Sequence, residues 1–295
     1  MGDLHLSADS TELFIPRAGL DSRVTQLGRT LRSGVLFLVY WLYLGCFVGL
    51  GQRIVIWPAI LLVPRRRTAI VRAWLKLNAR ITLGLARSIA NVRVTMQGPR
   101  PAESCVVVMN HQSLLDIPIA IEAVVGPQLV ILTRDRYRRY IPGISPLGRL
   151  ARFPFVSQKR KSSRQDFASL TRTVERVDRG EQTLLIFPEG HRTRDGSIAR
   201  FMRGGLRTIL AGTRRPVYCV VTDGMAHART FRESLVRFAN SDVHVVISGP
   251  FTLDDSDPDA FIDSLRQHMI VSLEQLRSTS SDHASSGAAD PIAVR

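Results

Sequence analysis

His111 and Asp116, five residues apart in the stretch NHQSLLDIP, are the side chains of this chain best suited to acid–base chemistry. A carboxylate on one ring nitrogen fixes the imidazole tautomer and steadies the imidazolium formed when the other nitrogen takes a proton. Such a pair can activate a hydroxyl. A second polar stretch, FPEGHRTRDG at 187–196, brings Glu189 together with Arg192 and Arg194. Their planar guanidinium groups fit phosphate oxygens in bidentate fashion. Between the two stretches, residues 133–164 hold ten Arg or Lys against one acidic residue, Asp135. No P-loop, dinucleotide fingerprint or metal-ligand spacing is present, so the chemistry falls to these side chains.

Both stretches follow short apolar runs, 105–109 and 183–186, that read as buried strands. Further strands are predicted at 92–96, 129–132, 217–221 and 243–247. Helical spacing joins Phe167, Leu170, Val174 and Val177, then Leu206, Ile209 and Leu210, then Phe261, Leu265, Met269 and Leu273. Alternation of this kind predicts an α/β domain, a mixed and largely parallel sheet covered by helices. In open α/β sheets the ligand crevice lies beyond the carboxyl ends of the strands. The fold is therefore expected to bring His111, Asp116, Glu189 and Arg192 to one edge. On a regular helix His111 and Asp116 would point about 140° apart. The pair needs His111 in the turn before a helix and Asp116 folded back from its first turns, with Asn110 and Ser113 as capping residue types.

The chain has 295 residues, 45% of them hydrophobic, and a formal net charge of +15. That excludes wholesale disorder and predicts an anionic partner: a lipid surface, a phosphorylated ligand, an acidic carrier or nucleic acid. Cys46, Cys105 and Cys219 form no disulfide framework. Residues 34–51 carry no charge; Gln52 and Arg53 interrupt, and 54–63 is apolar again before Pro64 and Arg65, Arg66 and Arg67. With arginines on both flanks, this pattern predicts a membrane-associated hairpin or tight two-helix span with both ends cytoplasmic, the alternative being a buried core hairpin. A basic amphipathic helix follows at 68–90. The expected organisation is an N-terminal arm (1–33), a membrane-associated helical segment (34–90), an α/β domain (91–277) and a flexible tail (278–295).

Taken together, these stretches resemble the glycerolipid acyltransferase family of the 1-acylglycerol-3-phosphate acyltransferase type. NHQSLLDIP is similar to its first motif, His-x4-Asp, with His111 and Asp116 at the defining positions. FPEGHRTRDG is similar to its third, FPEG-x-R-[ST], matched by Glu189, Gly190, Arg192 and Thr193. The Pro-Gly and Pro-x-Gly pieces at 141–149, followed by 155–160, resemble the second, and RRPVYCV at 214–220 the proline-containing fourth. The resemblance covers roughly residues 34–250. His191 stands where Thr is frequent, Arg203 replaces a common Lys, and Arg134 or Arg136 falls where a lysine is often seen.

The resemblance implies transfer of an acyl chain from acyl-CoA or acyl carrier protein to a lysophospholipid hydroxyl, 1-acylglycerol-3-phosphate giving phosphatidic acid. It implies His111 as base, Asp116 as its partner, and Glu189, Gly190, Arg192 and Thr193 as substrate-binding residues. No covalent acyl-enzyme, cofactor or metal is expected, and the partners are a membrane, the lysolipid and the thioester, not nucleic acid. The catalytic domain would face the cytoplasm, at the inner membrane if the source is bacterial. Alternatives are another lysolipid acceptor such as lyso-ornithine lipid, phospholipid transacylation, or a non-enzymatic basic membrane or nucleic-acid binding protein.

Overall fold

The computed structural model describes residues 17–139, 141, 143–157, 164–193, 195–228, 233–234, 237–253 and 257–286. Arg194, the outer ends of the expected N-terminal arm and tail, and part of the second-motif stretch lie outside the described residues. The strands in chain order are β1 (Arg93–Gln97), β2 (Val106–Met109), β3 (Gln128–Ile131), β4 (Thr133–Arg134), β5 (Phe155–Val156), β6 (Gln182–Ile186), β7 (Val217–Asp223) and β8 (Asp242–Phe251). Six of them form one sheet in the order β1-β8-β7-β2-β6-β3, while β4 and β5 pair separately. Every neighbouring pair in the large sheet is parallel except β7 and β8. The expected mixed, largely parallel sheet is thus present. Four parallel strands, β3, β6, β2 and β7, end on one edge.

Helices cover both faces: α4 (Arg67–Ala90) and α5 (Asp116–Ala123) on one, α7 (Arg164–Asp178), α8 (Arg203–Gly212) and α9 (Pro258–Ser286) on the other. Strand β2 shows why its sequence is an uninterrupted apolar run. Val107 and Met109 pack into the core under α4 and α5, while Val106 and Val108 pack into the core under α7, α8 and α9. Successive side chains of a strand point to opposite faces, and here both faces are dry. The pair β4–β5 and the short α6 (Ile144–Leu150) were not expected; they are too short to leave a periodic signature. Helix α9 runs on to Ser286, past Ser278 where a loose tail was expected.

The N-terminal segment also departs from expectation. Residues 34–63 do not fold back at Gln52. Instead α1 (Arg17–Leu42) continues through two π-helical stretches, Tyr43–Val48 and Gln52–Ile56, with α2 (Gly49–Gly51) between them, into α3 (Trp57–Leu62). The chain reverses at Val63 and Pro64 and returns as α4. The physical reason lies in the spacing of the inner side chains. Leu44, Val48, Gln52, Ile56 and Ile60 are all buried and each lies four residues after the last. On a regular helix each step of four turns by about 40°, so the stripe would drift well off the interface. The wider i→i+5 turns cancel that drift. Gln52 therefore faces inward, and it breaks the apolar composition without breaking the helix.

Helix α4 sets the orientation of α5 by a charged contact. Lys76 Nζ donates to the carbonyls of Ile121, Glu122 (3.4 Å) and Val124 (2.6 Å), at the C-terminal end of α5. A cation there suits both the free carbonyls and the helix dipole. Burial lowers the Lys76 ammonium to about 8, which leaves it largely charged at neutral pH. Lys76→Met is expected to cost about 2 kcal/mol through the lost charge-assisted bonds. A calorimetric scan should then show Tm down by roughly 4–8 °C; an unchanged Tm would reduce the contact to a surface embellishment.

Candidate active site

The first loop leaves β2 at Met109 and is pinned to the neighbouring strand end at once. Asn110 Nδ2 donates to Thr222 O and Thr222 N donates to Asn110 Oδ1, both at 2.8 Å. Gln112 Nε2 donates to Asp223 Oδ1 at 2.9 Å, and Met225 N donates to Gln112 Oε1 at 3.1 Å. Asp223 is held in turn by Arg277 of α9, whose Nε donates to Oδ2 at 2.9 Å. Asn110 thus bridges strands and does not cap a helix. Gln112, Thr222, Asp223 and Arg277 went unrecognised in the sequence, because isolated polar residues at a strand end and on a long helix carry no local signal.

Asp116 closes the start of α5 with its own carboxylate. Oδ2 accepts from Gln112 N at 2.7 Å, from Ser113 N at 2.8 Å and from His111 Nδ1 at 2.8 Å. The carboxylate has no proton to give, so Nδ1 carries the hydrogen and Nε2 keeps its lone pair. The Asp116 side chain is 1% exposed and the His111 ring 19%. His111 is in the turn before α5, and Asp116, its first residue, folds back onto the ring. This is the arrangement their spacing required.

The second loop fixes His111 from the other side. Glu189 Oε1 accepts from His111 N at 3.0 Å, and Thr193 N donates to His111 O at 2.8 Å. The Phe187 ring stacks on the imidazole, with centroids 4.2 Å apart and planes at 22°. Both backbone groups and one ring face of His111 are therefore set by residues 187–193. The other Glu189 oxygen accepts from Ala199 N at 2.9 Å. Burial raises the Glu189 carboxyl above its ordinary range, opposed by the two N–H donors.

A cleft of about 670 Å³ opens over this edge. His111, Arg134, Arg136, His191 and Arg192 contribute to its polar lining, and Ile131, Leu132, Leu170, Ile186, Phe187 and Met202 to its apolar lining. Gly190 lines it too, but Glu189 and Thr193 do not. Those two were expected to bind substrate. The structure instead uses Glu189 to hold backbone, and Thr193 Oγ1 donates to Asp195 within the loop at 3.1 Å. Arg192 stays in the cleft, and its buried Nη1 has no hydrogen-bond partner. Arg134 ties the wall to the loop by donating to Gly190 O. Burial and the adjoining positive charges of Arg136 and Arg192 lower the Arg134 guanidinium below its usual range. Three clustered guanidinium groups, one with an unused buried N–H, suit a phosphate; the apolar lining suits a hydrocarbon chain. Among the described residues no cluster of His, Cys, Asp or Glu could hold a metal ion.

Comparison with known proteins matches this region. Residues 91–223 match the family model described as Acyltransferase. The chain is 30% identical over 176 residues to the chloroplastic 1-acyl-sn-glycerol-3-phosphate acyltransferase BAT2 of Brassica napus. That alignment covers 59% of this chain, which spans about half (48%) of the relative's length. In fold it resembles the crystal structure of the 1-acyl-sn-glycerophosphate acyltransferase PlsC of Thermotoga maritima. The TM-score is 0.63 at 20% identity, covering 86% of this chain and 97% of that one.

Proposed function

We propose, because residues 91–223 match the family model described as Acyltransferase, that the chain moves an acyl chain from a thioester, acyl-CoA or acyl carrier protein, to a lysophospholipid hydroxyl, with 1-acylglycerol-3-phosphate as acceptor. The observation that carries this reading is the His111–Asp116 pair at the lip of a cleft holding both guanidinium groups and an apolar wall. His111 Nε2 takes the proton as the acceptor oxygen attacks the thioester carbonyl. The carbon–sulfur bond then breaks, and the imidazolium returns the proton to the departing thiolate. The products are an ester and a free thiol. Asp116 balances the charge on the ring between the two proton transfers.

Arg192 is assigned to the acceptor phosphate. Arg192→Ala is expected to raise the acceptor KM about ten- to hundred-fold with kcat little changed, the size of one or two charge-assisted bonds. An unchanged KM would remove Arg192 from the phosphate site. The reaction itself is tested with purified full chain by thiol release from an acyl thioester with lysophosphatidate or lyso-ornithine lipid as acceptor, and by lysophospholipid formed from a phospholipid donor when no thioester is present. Turnover with thioester and lysophosphatidate alone supports the acceptor named here, and turnover in none of the three assays overturns the enzymatic reading.

The N-terminal helix supports a membrane setting. Thr25–Leu62 is long and apolar enough to cross a bilayer. It is also anchored to the domain at well-separated points: Ala239 N donates to Ser33 Oγ at 3.0 Å, and Gln52 Nε2 donates to Gly143 O at 3.0 Å. Those anchors lie 19 residues apart (52 minus 33), about 28 Å along a helix. A polar domain touching the helix over that length leaves no room for a roughly 30 Å hydrocarbon core around it. In this reading the helix lies in the membrane surface, with Leu38, Leu50, Ile54, Leu61 and Leu62 exposed to it.

A further inference from the structure

A second, smaller cavity of about 250 Å³ lies between the N-terminal helix and the start of α6. It is lined by Gln52, Arg53 and Trp57 from the helix and by Gly143, Pro146 and Arg149 from the domain. No residue of this cavity lines the catalytic cleft. Gln52 is 2% exposed and donates through Nε2 to Gly143 O, yet its Oε1 is buried without a hydrogen-bond partner. A buried acceptor is costly to leave unpaired, so this oxygen is suited to a donor that arrives with a ligand. Among the described residues no carboxylate pairs with Arg53 or Arg149. A positive charge in an apolar helix calls for an anion. Two guanidinium groups beside an unused acceptor define a ligand that carries an anionic group and a hydrogen-bond donor.

We propose that this cavity binds the headgroup of a membrane phospholipid, its phosphate between Arg53 and Arg149 and its terminal hydroxyl or ammonium donating to Gln52 Oε1. The apolar surroundings favour a lipid over free phosphate. Leu50, Ile54 and Val55, all exposed, flank Arg53 on the helix, so acyl chains leaving the cavity meet an apolar surface. Gly143 makes the close approach possible: it has φ +71°, and a Cβ there would stand 2.5 Å from Leu44 O. The segment that walls this cavity is tied by hydrogen bonds to the one that lines the catalytic cleft. Ser145 Oγ donates to Tyr137 O at 2.9 Å and Arg149 Nη1 to Arg138 O at 2.5 Å, and Tyr137 lines the cleft. A headgroup seated here steadies the wall that carries Arg134 and Arg136.

The inference rests on the membrane setting above, but its test needs neither a bilayer nor acyl transfer. Full chain in detergent is titrated with dihexanoyl phosphatidylglycerol below its micelle concentration. The expected result is one lipid per chain, bound at least ten-fold more weakly by Arg53→Gln and undiminished in Arg192→Ala. Dihexanoyl phosphatidylcholine, whose headgroup has no donor for Gln52, should also bind about ten-fold more weakly. Gln52→Met should erase that preference. Loss of binding in Arg192→Ala with retention in Arg53→Gln would place the lipid in the catalytic cleft and overturn the proposal. Inorganic phosphate competing as tightly as the lipid would overturn the lipid assignment.

Discussion

Alanine in place of His111 is expected to lower acyl transfer by about 10²- to 10⁴-fold, the usual contribution of a positioned general base. The chain should stay folded. Asp116 keeps its bonds from Gln112 N and Ser113 N, and the 111 backbone keeps its bonds to Glu189 and Thr193. What disappears is the only cleft-lining side chain that pairs a ring nitrogen with a carboxylate among the described residues. Thiol release with acceptor measures the loss, and a thermal scan checks the fold. Undiminished release in a folded variant would end the proposed mechanism. Asp116→Asn separates the two roles of the pair: it keeps an oxygen for the N–H groups and removes the charge that balances the imidazolium. Its activity should fall more steeply than its Tm.

Glu189→Leu should have the largest effect on stability. Both carboxylate oxygens accept buried backbone N–H groups, from His111 and from Ala199, and the side chain is 1% exposed. Leucine leaves both donors unsatisfied at about 1–3 kcal/mol each, roughly 2–6 kcal/mol together. Against a typical total of about 5–15 kcal/mol this is a large fraction, and Tm should fall by about 5–20 °C. Activity should fall as well, because the N–H of His111 loses the contact that aims the residue. Glu189→Gln retains one acceptor oxygen and should lie between the two. A Glu189→Leu chain with wild-type Tm and a raised acceptor KM would return Glu189 to the substrate-binding role its motif suggested.

Much of this molecule was legible in the sequence because the relevant signals are local. Most strands of the main sheet carry short apolar runs, β1 alternates Val94 and Met96 with polar residues, and α4, α7, α8 and α9 show apolar stripes of helical spacing. The His111–Asp116 pair was legible for a similar reason: five residues allow contact only if one member sits in a turn. The placement of both polar stretches at one edge followed from the rule for parallel strand ends. The N-terminal segment was misread because composition does not report periodicity defects. Gln52 and Arg53 interrupt the apolar run as a turn would, and only the π-helical stretches show that Gln52 belongs to the inner face of an unbroken helix.

Residue types and their order alone thus determined the α/β class, the imidazole–carboxylate chemistry and the presence of an arginine-bearing partner loop. Only the tertiary structure assigned the partner loop its roles. Glu189 turns inward to hold His111 by its N–H, while Arg192 remains in the cleft with a free donor. Two neighbours in one motif can thus serve opposite ends. Which way each points depends on the backbone groups that sheet pairing brings within reach, across 78 residues of chain (189 minus 111). That distance is closed by the β2–β6 ladder, from Val106 against Leu184 to Val108 against Ile186, and no local pattern encodes it.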